Sequence, residues 1–421
     1  MNLLGLAAPP ADTGALPFDL ARAHELYRSL FGEVADLLAA KHLLVVASGP
    51  LASLPFHVLV ASEPRHADPA QPANYGPADW LARHAAVSVL PSVASLSALR
   101  NFARQSQASA SYIGFGNPLL LGGDGTDRRA WAKQSCPSSG ARPLSADARA
   151  IVRPPPVGRR GGFADVDALR LQMPLPETAD ELCTVARLLG APETSVYLGE
   201  RATETALKTL SANGELGRAR ILHFATHGLL AREADSVLQS RAEPALMLTP
   251  PQQASAEDDG LLTASEVAQL KLNADWVVMS ACNTAAGDKF DSDALSGLAR
   301  AFFYAGSRAL LVSHWYVDSE AAVALTSGAF AELKVAPTIG RAEALRRSML
   351  ALIDKGGRYA HPANWAPFVV VGEGAAPELP PGSPLMTSAP WPHGREKPAG
   401  EKKAAAKQSK GADWRREIWR P

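Results

Sequence analysis

The chain has 421 residues, with 42 Lys and Arg against 42 Asp and Glu, so its body offers no electrostatic case for nucleic acid or a membrane surface. Hydrophobic residues make up 47%, enough for a sizeable core, yet no apolar run approaches the roughly 18 residues of a membrane span. Three cysteines, Cys136, Cys183 and Cys282, are too few and too scattered for a disulfide framework and lack the paired spacing of a zinc site. The amino terminus has no charged region leading into an apolar core, so no signal peptide is expected. A reducing, cytoplasmic setting is the default, and it suits a free thiol.

Residues 1–17 are rich in Ala and Pro and read as irregular. Leu26, Leu30, Val34, Leu37 and Leu38 recur at helical spacing within 18–40. Strands are predicted at Leu43–Ala47, closed by Ser48-Gly49-Pro50, at Ala85–Leu90, and at Tyr112–Gly116. Ser92 can cap a helix running to about Arg104. Residues 119–172 are dense in Gly, Pro, Arg, Ser and Asp and read as a long mobile insertion or cleavable linker. Order returns with a helix over Glu177–Leu189 that stops at Gly190.

From there strands and helices alternate. Strands are expected at Ser195–Leu198, Ile221–Thr226, Ala245–Leu248, Trp276–Ala281, Ala309–Ser313 and Phe368–Val371. Helices are expected at Thr203–Leu210, Ala264–Leu270 and Leu295–Tyr304, then at 319–333 and 339–354. This alternation predicts an α/β fold, a mostly parallel sheet layered between helices. One domain over 18–374 would hold it. Residues 375–421 read as a disordered tail, basic at its end, where 393–421 carry nine Lys/Arg against four Asp/Glu.

Two strands end on reactive side chains. One runs Ile221-Leu222-His223-Phe224-Ala225-Thr226 into His227-Gly228; the other runs Trp276-Val277-Val278-Met279-Ser280-Ala281 into Cys282. Open α/β sheets bind ligands at the carboxyl ends of their strands. Neighbouring strands lie about 4.8 Å apart, so a histidine on one can activate a thiol on the next. Gly228 lets the backbone approach a substrate, and its N–H with that of Cys282 can form an oxyanion hole. Against this, a cysteine in an apolar strand is ordinarily a small buried hydrophobe, and a strand-end histidine is ordinarily structural. It is their matching placement that makes them a candidate pair.

His223 reads as core, and His314, which also ends a strand, as a rival base. Cys136 and Cys183 read as inert. Asp318, with Asp291 and Asp293 as weaker choices, can line a pocket for a basic side chain, although acids so placed more often cap the following helix. The chain has no Gly-x-Ser-x-Gly elbow, Walker loop or His-Glu-x-x-His.

Several ordered segments carry a family resemblance: His223-Phe224-Ala225-Thr226-His227-Gly228, Asp259-Gly260-Leu261-Leu262-Thr263-Ala264, Val278-Met279-Ser280-Ala281-Cys282-Asn283-Thr284 and Gly297–Gly306. Val312-Ser313-His314-Trp315-Tyr316-Val317-Asp318 and Trp365-Ala366-Pro367-Phe368 continue the series, and Gly49–Phe56 lies near its start. Together they resemble the CHAT domain, a caspase-like cysteine peptidase domain often joined to tetratricopeptide repeats and related to separase and caspases. Caspase-type enzymes place the histidine about 50 residues before the cysteine, in this order.

The resemblance implies a caspase-haemoglobinase-like three-layer sandwich that cleaves peptide bonds without metal or cofactor. His227 would be base and acid, Cys282 the nucleophile, Gly228 and Cys282 the oxyanion donors, with Asp318 and Asn283 at the substrate pocket. It also implies a protein or peptide substrate and a regulatory partner such as a repeat-containing protein. The chain departs from the family pattern at Asn283-Thr284-Ala285, where Glu-Thr-Gly is common, and at His314, where leucine is usual. A catalytically silent scaffold that binds a protein partner is the alternative function, and a small-molecule acyltransferase using the same thiol is a third.

Overall fold

The computed structural model describes residues 17–38, 42–64, 75–102, 106, 108–137, 159–160, 163–229, 243–280, 297–315 and 317–375. The apolar runs pair as strands β1 (His42–Val45), β2 (Ala86–Val89), β3 (Ala110–Gly116), β4 (Val196–Leu198) and β5 (Ala219–Ala225). They are followed by β6 (Gly228–Leu229), β7 (Ala245–Met247), β8 (Leu261–Thr263), β9 (Trp276–Met279), β10 (Ala309–Ser313) and β11 (Phe368–Gly372). Eight of these form one sheet in the order β1-β2-β11-β10-β9-β5-β3-β4. All its pairs are parallel except β10 with β11. The short strands β6, β7 and β8 form a separate antiparallel sheet.

Central parallel strands are covered on both faces, which is why they read as unbroken apolar runs rather than as alternation. In β9 all four residues are buried. The principal helices are α1 (Leu20–Phe31), α2 (Glu177–Leu188), α3 (Glu204–Ala212), α4 (Gly297–Ala305), α5 (Ser319–Val335) and α6 (Arg341–Lys355). One core joins Trp276 and Val278 of β9 to Leu182 of α2, Phe330 of α5 and Leu345 of α6. The other joins Val277 and Met279 to Leu207 of α3 and Phe302 of α4. The fold is therefore a three-layer α/β sandwich with a mostly parallel sheet.

The helix expected over 18–40 is shorter. After α1, which Asp19 caps by accepting from the Arg22 N–H, residues Gly32–Leu37 tighten into a 3-10 turn interrupted by non-helical Val34. Packing of α2 onto β3 depends on Gly116, where a Cβ would stand 2.5 Å from the Ala225 carbonyl oxygen and 2.7 Å from Leu182.

The reading of 119–172 as one mobile stretch needs correction at both ends. Residues 119–137 and 163–172 are folded, with Leu120, Ala130 and Leu169 fully buried. The Asn117 side chain donates to the carbonyls of Ala130 and Lys133, and Lys133 pairs with Asp180 of α2. The Cys136 and Cys183 sulfurs, read as inert, are joined in a disulfide, with Cα atoms 5.5 Å apart across 47 residues of sequence. That pairing removes the ground on which a reducing compartment was expected. Among the described residues no helix is long and apolar enough to cross a membrane.

Candidate functional site

Because β5, β9 and β10 are mutually parallel, their carboxyl ends share one edge of the sheet. His227 follows β5 by two residues at that edge and is 5% exposed. Its backbone is held from the small sheet, where the Met247 N–H donates to the His227 carbonyl at 2.9 Å. Its ring is held from the leader of α2, where Nε2 stands 2.7 Å from the Met173 carbonyl oxygen. A carbonyl only accepts, so Nε2 carries the proton and Nδ1 of the neutral ring keeps its lone pair. Burial lowers the His227 pKa from 6.5, with the Met173 contact opposing the shift. The ring is thus neutral near pH 7, with one nitrogen able to accept a proton.

Gly228 opens β6 and faces Leu246 of β7. His227 and Met247 occupy the hydrogen-bonded position of this antiparallel pair, since the Met247 N–H donates to His227. Gly228 therefore sits at the next, non-hydrogen-bonded position, and its N–H points away from β7. The residue after His227 thus keeps an N–H that the ladder does not use.

Cys282, Asn283, Asp291 and Asp293 lie outside the described residues. Two facts about the described part bear on the cysteine. Trp276 faces Ile221 and Met279 faces Phe224, an offset of 55 residues between β9 and β5, and Cys282 follows His227 by the same 55. The disulfide uses the other two cysteines of the chain.

The remaining candidates separate. Asp318 caps α5, accepting from the Ala321 N–H at 3.1 Å. The guanidinium it faces belongs to this chain's own Arg358, 3.7 Å away, which also pairs with Glu320. His223 is fully buried, four residues before His227 in the chain, as a core reading requires. His314 sits at the end of β10 with both ring nitrogens buried and without a hydrogen-bond partner, and burial takes its pKa down to about 4. His57, also fully buried, is likewise unpartnered, and burial followed by the influence of nearby His314 and Arg346 takes it down to about 3.

Sequence reasoning missed Met173. It acts through a backbone carbonyl, which any residue could supply, so no signal in the sequence pointed to it. Also missed was Glu204, whose Oε2 accepts from the Asp259 and Gly260 N–H groups and so sets the turn into β8. Burial, with Glu266 nearby, raises that carboxyl to about 7.

The CHAT domain family matches residues 20–373. Tetratricopeptide repeat protein 28 of Mus musculus is 27% identical over 226 residues, 47% of this chain and 9% of the relative. Its Homo sapiens counterpart is also 27% identical over 226 residues, which are 8% of that protein. The chain thus spans less than a tenth of the length of these curated relatives. Among solved structures, the Arg-specific cysteine proteinase gingipain R aligns over 87% of this chain and 70% of its own, at 11% identity and TM-score 0.43. The Saccharomyces cerevisiae separase–securin complex aligns over 79% of this chain and 15% of its own, at 12% identity and TM-score 0.40.

Proposed function

We propose that this chain, which belongs to the CHAT domain family, is a cysteine endopeptidase that hydrolyses a protein substrate through His227 and Cys282. The observation that carries this is the β5–β9 register, whose offset of 55 residues equals the separation of the two side chains. Nδ1 of His227 takes the thiol proton, because the Met173 carbonyl holds the proton on Nε2. The thiolate attacks the scissile carbonyl carbon, and the N–H groups of Gly228 and Cys282 take up the charge on its oxygen. Collapse of the tetrahedral intermediate expels the amine, which receives the proton from the imidazolium. Water then attacks the acyl-enzyme with His227 as base, releasing the acid and restoring the thiol. No step calls for a metal or an organic cofactor.

Asn283 and the segment around Asp318 would shape the substrate pocket, with Asp318 acting only through Arg358 unless a substrate cation displaces that guanidinium. The domain proper is taken as 18–374, with the central part of 119–172 as an insertion and 375–421 as a tail. A tagged, thiol-reactive peptide probe tests the dyad. It should label wild type but neither Cys282→Ala nor His227→Ala; equal labelling of the Cys282→Ala protein would contradict the assignment.

A second reading is a catalytically silent scaffold that binds a protein partner. It is favoured by the match to relatives named for tetratricopeptide repeats. Such a scaffold yields no products that depend on His227.

A further inference from the structure

A buried polar cluster centres on His223, four residues before His227 in the chain. Nδ1 of His223 on β5 stands 3.0 Å from the hydroxyl of Tyr112 on β3. Its Nε2 stands 3.0 Å from Oε1 of Glu181 on α2 and 3.3 Å from Oγ of Ser280. His223 is fully buried and Glu181 is 1% exposed. The Glu181 contact has ion-pair distance without hydrogen-bond alignment. Gly114 leaves room for the tyrosine, since a Cβ there would come 2.7 Å from its hydroxyl. Burial, then the Glu181 charge, pushes Tyr112 well above 10, so the hydroxyl keeps its proton and donates to Nδ1. With Tyr112 donating to Nδ1, the proton of the ring sits on Nε2, whose N–H is aligned with Ser280 Oγ.

Removing a carboxylate and an imidazole from water is costly, and apolar residues of similar volume would fill the same space at least as stably. Ser280 is the first residue after β9; its N–H donates to the Phe224 carbonyl at 3.0 Å and its hydroxyl reaches the same oxygen at 3.4 Å. Cys282 comes two residues later in the chain. The same helix that carries Glu181 is preceded by Met173, whose carbonyl holds His227. The leader of α2 thus holds His227, while Glu181 on the helix stands against His223, the side chain that reaches Ser280.

We propose that Glu181 and His223 are positioning residues that act through Ser280 to fix the chain leading into Cys282, so that its thiol meets His227; the inference rests on the dyad reading given above. The effect would be geometric: a displacement of about 1 Å in a reacting group can cost on the order of 100-fold in rate.

The test is the rate of Cys282 alkylation by iodoacetamide against pH, in the full chain. Wild type, His227→Ala, Glu181→Gln, Ser280→Ala and the Glu181→Gln/Ser280→Ala double variant are compared, each checked for folding by circular dichroism. Glu181→Gln and Ser280→Ala should each slow alkylation roughly 10- to 100-fold and raise its pH midpoint, with the double variant no slower than the worse single. Ser280→Ala removes a hydroxyl and leaves Glu181 and His223 in place, so it keeps the inference testable should Glu181→Gln fold poorly. If His227→Ala slows alkylation while Ser280→Ala leaves rate and midpoint at wild-type values, the positioning role is overturned and the dyad stands. If His227→Ala itself changes neither, the dyad reading falls, and this inference with it.

Discussion

His57 and His314 should make this fold sensitive to acid in a way that can be calculated. Both ring nitrogens of each are buried and unpartnered. Burial takes His57 down to about 3 and His314 down to about 4, against 6.5 for an exposed ring. Because the folded values are depressed, the unfolded chain binds protons first as pH falls. The stability at stake is whole above about pH 6.5 and is lost progressively down to about pH 3–4. At about pH 5 each ring is still neutral when folded and almost fully protonated when unfolded. Each then removes about 2 kcal/mol, or about 4 kcal/mol together, relative to about pH 7.5. Other groups also titrate in this range, His227 among them, so the comparison is with His314→Leu, which should lose about 2 kcal/mol less over the same interval. Urea unfolding followed by tryptophan fluorescence at the two pH values measures it. Equal losses for wild type and His314→Leu would refute the argument, because a ring that is uncharged in both states contributes no pH dependence.

Reduction of the Cys136–Cys183 disulfide opens a loop of 47 residues, and the chain-entropy relation puts its stabilisation at about 4 kcal/mol. Unfolding of oxidised and of reduced, alkylated protein tests that value, and thiol titration of the oxidised, denatured chain should find a single free thiol. Asp318→Ala removes a helix cap and should cost about 1 kcal/mol in unfolding free energy, with Asp318→Asn recovering most of it. Gly116→Ala pushes a methyl group to 2.5 Å from a backbone oxygen and should destabilise by about 1–3 kcal/mol, visible as a lowered melting temperature.

Much of the fold was legible because central parallel strands leave a strong signal. Trp276–Met279 and Ala309–Ser313 are apolar on both faces, and helices on either side of the first of them stop at glycines, Gly190 and Gly306, both with positive φ. The small antiparallel sheet was not legible as a unit. Its strands β6 and β8 have two and three residues, too few for alternation to register. The disulfide was hidden for a different reason: Cys136 lies at the edge of a Gly- and Pro-rich stretch, and only the packing of that stretch on α2 brings it to Cys183.

At the site, His227 and Gly228 stood out because reactive and small residues end an apolar run. Asp318, named both as a pocket residue and as a helix cap, does cap α5, since an acid just before a helix is well placed to accept its N–H groups. The Met173 carbonyl could not be read, because a backbone acceptor has no residue signature. The buried partnership of Tyr112, Glu181, His223 and Ser280 joins positions up to 168 residues apart in numbering, from Tyr112 to Ser280, and only the strand order β3-β5-β9 brings them together.

The central claim is that Cys282 and His227 cut peptide bonds. The most direct measurement incubates a whole proteome with wild-type protein, His227→Ala and Cys282→Ala, and sequences the new amino termini. The peptidase account predicts a set of termini produced by wild type, sharing a residue preference beside the cut, and missing with both variants. Termini that persist with both variants, or none above background with any of the three proteins, would contradict it.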